Sequence, residues 1–160
     1  MKNILGIIAL GLLWCNISFA LTLSGINRLD VSVEQMDEPS MRKCKITYRD
    51  IETEAKYLIS NANIKIMNSD IRKTTQIMFP TFYIGGTIFT DGTRCIGGLV
   101  IQVQHASLVD PLNKGNAGVF LYFQRNASMS TGVDGFKDYY LGFVKSLTKE
   151  FIIEWNKFNK

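Results

Sequence analysis

The residues from Leu29 to Val33 alternate between apolar and polar side chains. A period of two with one apolar side is typical of a half-buried β-strand. The residues that follow, from Met36 to Lys43, are mostly polar and include Pro39, so we predict a loop there.

A helical pattern begins after Thr47, because the next apolar residues fall on one helical stripe. That stripe contains Tyr48, Ile51, Ala55, Leu58, Ile59 and Ala62. Thr47 with Asp50 three residues later predicts a capping box at the helix start. The stretch Asn61-Ala62-Asn63 predicts the end of the helix, since Asn tolerates the left-handed conformation common there. Ile64 and Ile66 then predict a short strand, followed by a polar connector over 68–76.

Aromatic and β-branched residues dominate from Pro80 to Thr90, which predicts a strand. Its two faces are Phe82, Ile84 and Ile88 against Tyr83, Thr87 and Phe89. The pair Gly85-Gly86 interrupts the alternation and predicts a bulge or a bend. Asp91-Gly92 is a strong hairpin signal, so the chain should return directly as a second strand.

That second strand is predicted from Cys95 to Ser107, and after a loop over 108–116 a third runs from Ala117 to Asn126. The faces of the second strand are Leu99, Ile101, Val103 and His105 against Val100, Gln102, Gln104 and Ala106. The faces of the third are Val119, Leu121 and Phe123 against Phe120, Tyr122 and Gln124. The small, polar residues from Ala127 to Gly132 predict the end of the sheet.

A long helix is predicted from Asp134, as its N-cap, to about Phe158. One aromatic stripe follows it, formed by Phe136, Tyr140, Phe143, Leu147, Phe151 and Phe158. A sheet with one apolar face needs cover, and the two amphipathic helices supply it. The sequence therefore predicts an α+β fold: a two-layer sandwich with a four- to five-stranded, mostly antiparallel sheet and two helices on one face.

The first 20 residues have the layout of a secretory signal peptide. Lys2 precedes an uncharged apolar run from Ile4 to Trp14, and Ser18-Phe19-Ala20 places small residues at a cleavage site. The alternative is an uncleaved N-terminal anchor. Lipid attachment at Cys15 is not expected, because Trp14 stands where a small residue is needed. We therefore predict a signal peptide over 1–20, a single domain over 21–160, and no stable membrane span after removal of the leader.

Two cysteines, Cys44 and Cys95, remain after the leader. In an exported domain such a pair most often forms a disulfide, and we predict this bond. A reactive thiol pair is the alternative, although the two are not in a Cys-x-x-Cys arrangement. Leader and disulfide together predict a periplasmic or secreted protein.

Composition excludes several classes of function. Charged residues are 20% and hydrophobic residues 46% of the 160-residue chain, which is typical of a globular protein. The net charge is +4 with scattered basic residues, so we predict no nucleic-acid surface. No zinc, calcium, phosphate-loop or dinucleotide motif occurs, so we predict no metal site and no cofactor. The pairs Gly85-Gly86 and Gly97-Gly98 indicate either sheet geometry or close approach of a ligand or partner backbone.

The order of elements resembles a widespread group of small exported bacterial proteins with no assigned activity. The shared features are the leader, Ile64-Lys65-Ile66 after the first helix, a Pro80-led strand, a strand that opens with Cys95, and an aromatic closing helix. In layout the chain is also distantly similar to the amino-terminal domain of TolB and to outer-membrane assembly lipoproteins. It lacks their lipid-attachment cysteine and any propeller repeat. The resemblance implies a sheet-and-two-helix fold in the cell envelope, and fold alone does not imply function.

His105 is the single histidine and the most natural general base. Ser107 lies on the same predicted strand face and Asp110 follows closely. The strand rise places His105 and Ser107 about 7 Å apart, which is too far for a direct hydrogen bond. A small hydrolase centred on His105 is therefore the least favoured function, and we predict no catalytic residue.

Aromatic residues on both faces of the strands are the most suggestive feature. If helices cover one face, the other exposes a candidate binding surface formed by Tyr83, Phe89, Phe120 and Tyr122. We therefore predict a non-enzymatic binding or interaction module of the bacterial cell envelope, whose specific partner the sequence does not name and which binds either an envelope protein or an apolar ligand. The alternative is a carrier of a small apolar ligand held between sheet and helices, which needs a cavity of roughly 300 Å³ or more.

Overall fold

A computed structural model describes residues 23–67, 79–107 and 118–160, and only the backbone of 106–107 and 118–120. Within these ranges five strands and three helices follow one another along the chain. In order they are β1 (Arg28–Val33), α1 (Glu38–Lys43), α2 (Tyr48–Asn61), β2 (Lys65–Ile66), β3 (Thr81–Thr90), β4 (Arg94–Ser107), β5 (Gly118–Gly132) and α3 (Val133–Asn159). The predicted leader, the connector over 68–76 and the loop over 108–116 lie outside the described residues.

The five strands form one mixed sheet in the order β2-β1-β3-β4-β5. β1 is parallel to both β2 and β3, whereas β3, β4 and β5 form an antiparallel meander. The meander holds the long strands, so most of the ladder is antiparallel. The predicted α+β class and the five-stranded sheet are confirmed.

The core lies between the sheet and the helices. Strand alternation turns residues such as Phe82, Ile101 and Val103 toward α2 and α3, where each is fully buried. The ring of Phe151 on α3 lies 5.1 Å from that of Phe82 and 5.6 Å from that of Phe123, measured between centroids. These aromatic contacts hold α3 across the strands, as predicted for Phe151. The predicted stripe does not reach the end of the helix, because Phe158 is 43% exposed.

The predicted capping box begins α2. The Thr47 backbone N–H donates to Oδ2 of Asp50 at 2.9 Å, and the Asp50 N–H donates to Oγ1 of Thr47 at 3.2 Å. The chain leaves the helix through Asn63, whose φ of 61° is left-handed. Both ends of the helix were thus readable from short polar motifs.

The predicted loop over 36–43 was wrong in part, because it contains the short helix α1. Asp37 is its N-cap and accepts a hydrogen bond from the Ser40 N–H at 2.9 Å. Pro39 lies in the first turn, where its missing N–H removes no helical hydrogen bond. The proline that suggested a loop therefore marks a helix start, and Met41 is buried on its inner side.

Strand β5 does not end at Asn126, as predicted, but continues to Gly132. Over this added length it pairs with the first half of β4, with Met129 opposite Gly97. The small polar residues stay in the sheet because β4 is long enough to supply their backbone partners. The N-cap of α3 is Gly132 rather than the predicted Asp134, which lies in the first turn and pairs with Lys45 at 2.6 Å.

The predicted bulge at Gly85-Gly86 is also absent, since both residues stay in continuous register with β4. Close packing of a helix on the sheet occurs instead at Gly97, in the second glycine pair Gly97-Gly98. A Cβ built on Gly97 would lie 3.0 Å from Cζ of Phe136 and 3.1 Å from Cδ2 of Tyr140. Glycine here lets the aromatic rings of α3 rest directly on the backbone of the sheet.

The structure contains the predicted disulfide between Cys44 and Cys95. It joins the end of α1 to the start of β4, across 51 positions of sequence. Both residues are fully buried. In the described part of the chain, no helix is both long and apolar enough to cross a membrane.

Candidate interaction surface

The candidate surface is the sheet side opposite α2 and α3, which we call the open face. On β3 it carries the odd-numbered residues and on β4 the even-numbered ones, because the alternate set is buried under the helices. Its described side chains include Tyr83, Thr87, Phe89, Ile96, Val100, Gln102 and Gln104. Strand alternation therefore produces one covered face and one that keeps large side chains in solvent.

Phe89 and Ile96 form an apolar patch at the hairpin end of the open face. They are directly opposite each other in the antiparallel β3–β4 pair. Their exposed fractions are 60% for Phe89 and 50% for Ile96. The next pair on this face is Thr87 with Gly98. Both residues are small, so neither side chain covers the patch. Exposed apolar side chains that adjoin in this way are typical of contact surfaces.

Tyr83 also belongs to the open face, but its side chain lies flat along the sheet and does not project into solvent. A Cβ built on Gly85 would lie 2.8 Å from Cε1 of Tyr83 and 2.7 Å from Oε2 of Glu34, so both side chains pass over that glycine. Burial, with the hydrogen bond and charge of Glu34, raises the pKa of the Tyr83 hydroxyl to about 12. The contact with Glu34 thus holds the Tyr83 side chain against this part of the open face.

The middle of the open face is polar. Nε2 of Gln102 donates to Oε1 of Gln124 at 3.1 Å, across the β4–β5 pair. Nε2 of Gln124 in turn donates to Oδ1 of Asn126 at 3.4 Å. These amides keep spare donors and acceptors, so they offer directional contacts beside the apolar patch.

A bulge in β5 rearranges the aromatic residues that the sequence placed on this surface. Phe123 pairs with Val103 but Leu121 pairs with Gln104, so Tyr122 is the extra residue. The shift turns Leu121 away from the core side, where we had predicted it, and leaves it 44% exposed. Tyr122 instead packs against the buried core. The backbone of Phe120 lies opposite His105, and its side chain is outside the described ones.

Of the four predicted surface residues, the structure therefore places Tyr83 and Phe89 on the open face. Ile96 and Leu121 join them without having been predicted. Ile96 could have been found, because Cys95 must point toward the helices to reach Cys44, which turns its neighbour outward. Leu121 could not, because the bulge depends on the partner strand.

His105 is half-buried near the end of β4. The Ser107 side chain and Asp110 lie outside the described part, so the predicted arrangement around His105 stays a prediction. Among the described residues, no three His, Cys, Asp or Glu side chains converge as metal ligands would.

Comparison with known proteins places this chain in no family. No family model matches it, and no curated protein matches it. Among solved structures, a minor lipoprotein from Acinetobacter baumannii is similar over 84% of this chain and 94% of its own, with 10% identity and a TM-score of 0.40. A likeness at this score and identity does not establish a shared fold.

Proposed function

We propose that this protein is an exported, non-enzymatic interaction module of the bacterial cell envelope, which binds an envelope protein through its open face. The observation that carries the proposal is the adjoining pair Phe89 and Ile96, exposed at 60% and 50% near the turn of the β3–β4 hairpin. A leader pattern and a disulfide, both typical of exported proteins, support the location.

The size of the patch indicates how much of the surface a partner must cover. Burying the exposed parts of Phe89 and Ile96 would contribute about 2–3 kcal/mol. A stable interface buries roughly 800 Å² on each partner, far more than two side chains provide. The partner must therefore also contact the amides of Gln102 and Gln124 and the side chain of Leu121. This combination of an apolar anchor with a polar rim is common in protein interfaces.

Packing inside the protein favours this function over a carrier of an apolar ligand. The space between sheet and helices is where such a ligand would bind. Large side chains that are fully buried occupy it, namely Phe82, Phe136, Tyr140 and Phe151. Two of them, Phe136 and Tyr140, rest on the sheet backbone at Gly97.

Photo-crosslinking in a bacterium that exports the protein tests the proposal. A benzophenone amino acid replaces Phe89, and a control replaces Tyr57, which is 63% exposed on α2. We expect a discrete adduct from position 89 that is lost when Ile96→Ser is added, and no such adduct from position 57. Identical adduct patterns from both positions, or no adduct from position 89, would refute binding through the open face.

A further inference from the structure

A surface pocket of about 250 Å³ lies at the end of the sheet remote from the Phe89–Ile96 patch. It forms where β1 and β2 begin and α3 ends. Its lining residues are Asn27, Arg28, Asn63, Lys65, Trp155 and Asn159. None of the six is acidic and two are cations, so the pocket is positive.

The two cations come from neighbouring strands. Arg28 and Lys65 are register partners in the parallel β1–β2 pair, and adjacent strands lie about 4.8 Å apart. The ion pairs of the described residues use other cations, so neither Arg28 nor Lys65 has a carboxylate partner there. Like charges side by side repel, and an anion between them removes that repulsion.

The aromatic wall of the pocket is held in place by hydrogen bonds. Nε1 of Trp155 donates to the Ile26 carbonyl at 2.5 Å, so the indole N–H is already used. Nδ2 of Asn159 donates to the Leu23 carbonyl at 2.8 Å, and its Oδ1 accepts from the Gly25 N–H at 2.9 Å. These bonds fix the end of α3 to the chain before β1. A ligand can therefore contact the half-buried Trp155 only through the surface of its ring.

Two amides complete the lining. Asn27 precedes β1, and Asn63 adopts its left-handed conformation between α2 and β2. Neither side chain forms a hydrogen bond with another described residue, so each can both donate and accept. Amide side chains therefore suit hydroxyl groups as ligands, because a hydroxyl also donates and accepts hydrogen bonds. A bare inorganic anion would use only the cations.

We propose that this pocket binds one acidic sugar unit, a ring that carries a carboxylate or a phosphate. The acidic group lies between Arg28 and Lys65, the hydroxyls contact Asn27 and Asn63, and the C–H face of the ring lies on Trp155. The volume, about 250 Å³, is just below the roughly 300–1,000 Å³ of pockets for drug-sized ligands, which suits a single ring.

Titration followed by tryptophan fluorescence tests the ligand class. Trp155 is the only tryptophan outside the predicted leader, so it reports directly on its own pocket. The probes are D-glucuronate, glucose 6-phosphate, neutral glucose and inorganic phosphate. We expect both acidic sugars to bind about tenfold or more tightly than glucose and than phosphate. Equal binding of phosphate would show a simple anion site, and no binding of either acidic sugar would also overturn the proposal.

Paired variants then test the residues. Arg28→Gln with Lys65→Gln should weaken glucuronate binding about tenfold or more. Arg49→Gln with Lys149→Gln is the control, because it removes two exposed cations outside the pocket that form no ion pair with a described carboxylate. Equal losses in the two double variants, or no loss in the first, would contradict the assigned contact. Thermal unfolding checks that both variants are folded.

A third variant keeps the test decisive if the first double variant fails to fold. Asn63→Gly preserves the left-handed backbone without strain and removes only the amide. It should weaken glucuronate binding and leave phosphate binding unchanged, whereas unchanged affinity for glucuronate would refute the hydroxyl contact. An oligo-uronate probe identifies the source of the ligand. Tighter binding than the monomer indicates a glycan chain, and equal binding indicates a free sugar acid.

Discussion

Replacing Gly97 by alanine should destabilise the protein, although alanine is usually preferred to glycine inside a strand. The new Cβ would meet Cζ of Phe136 at 3.0 Å and Cδ2 of Tyr140 at 3.1 Å. Both rings are fully buried, and Tyr140 also donates through its hydroxyl to the Gly98 carbonyl at 3.4 Å. Neither ring can move without displacing α3. Overpacking of this kind costs about 1–3 kcal/mol, which exceeds the roughly 0.5–1 kcal/mol that removing a glycine gains.

Urea unfolding of the oxidised protein measures this effect. Subtracting the gain from the cost leaves a net loss of about 1 kcal/mol, which at a slope of about 2 kcal/mol/M lowers the midpoint by about 0.5 M. The matched control is Gly142→Ala on α3, where a Cβ meets nothing within 4 Å. That substitution should stabilise the protein by about 0.5–1 kcal/mol, because glycine is a poor helix former. If Gly97→Ala is as stable as the original protein, the close approach of α3 to the sheet is wrong.

Three further predictions concern the disulfide, a tyrosine pKa and a helix cap. Reducing the Cys44–Cys95 bond, which spans 51 positions, should lower the free energy of unfolding by about 4 kcal/mol in urea titrations with and without reductant. Tyr83 should titrate near pH 12, and because its folded pKa is raised, its contribution to stability should be present below pH 10 and lost as the pH rises toward 12. Ultraviolet absorbance of the phenolate measures the step, and Glu34→Gln should move it toward pH 10. Thr47→Ala removes the capping box and should cost about 1 kcal/mol, whereas an unchanged midpoint would show that the cap contributes nothing.

Much of the fold was predictable because the signals are local. Strand alternation identified β3 and β4, since each residue type reports directly which side of the sheet it occupies. Thr47 with Asp50 identified the start of α2, because both partners of that motif lie within one turn. The loop predicted around Pro39 was wrong in part because proline is common both in loops and in the first turn of a helix.

What the sequence did not show depends on partners distant in the chain. The length of β5 beyond Asn126 follows from the length of β4, and the bulge at Tyr122 follows from their mutual register. The exposure of Leu121 was therefore not predictable from its own alternation. The same holds for the cationic pocket, whose lining comes from segments as far apart as Asn27 and Asn159. No local sequence pattern predicts a site of this kind.

The positions of the open-face patch and the cationic pocket bear on how the protein works. Strand β3 has ten residues and separates the two sites by about 30 Å along the sheet. Side chains so far apart, with no shared partner, contribute independently to free energies. A Phe89→Ser variant should thus bind glucuronate as the original protein does, and Arg28→Gln with Lys65→Gln should keep the crosslink from position 89. One protein could then hold a glycan at one end and an envelope protein at the other, whereas loss of both activities in either variant would show that the two sites act as one.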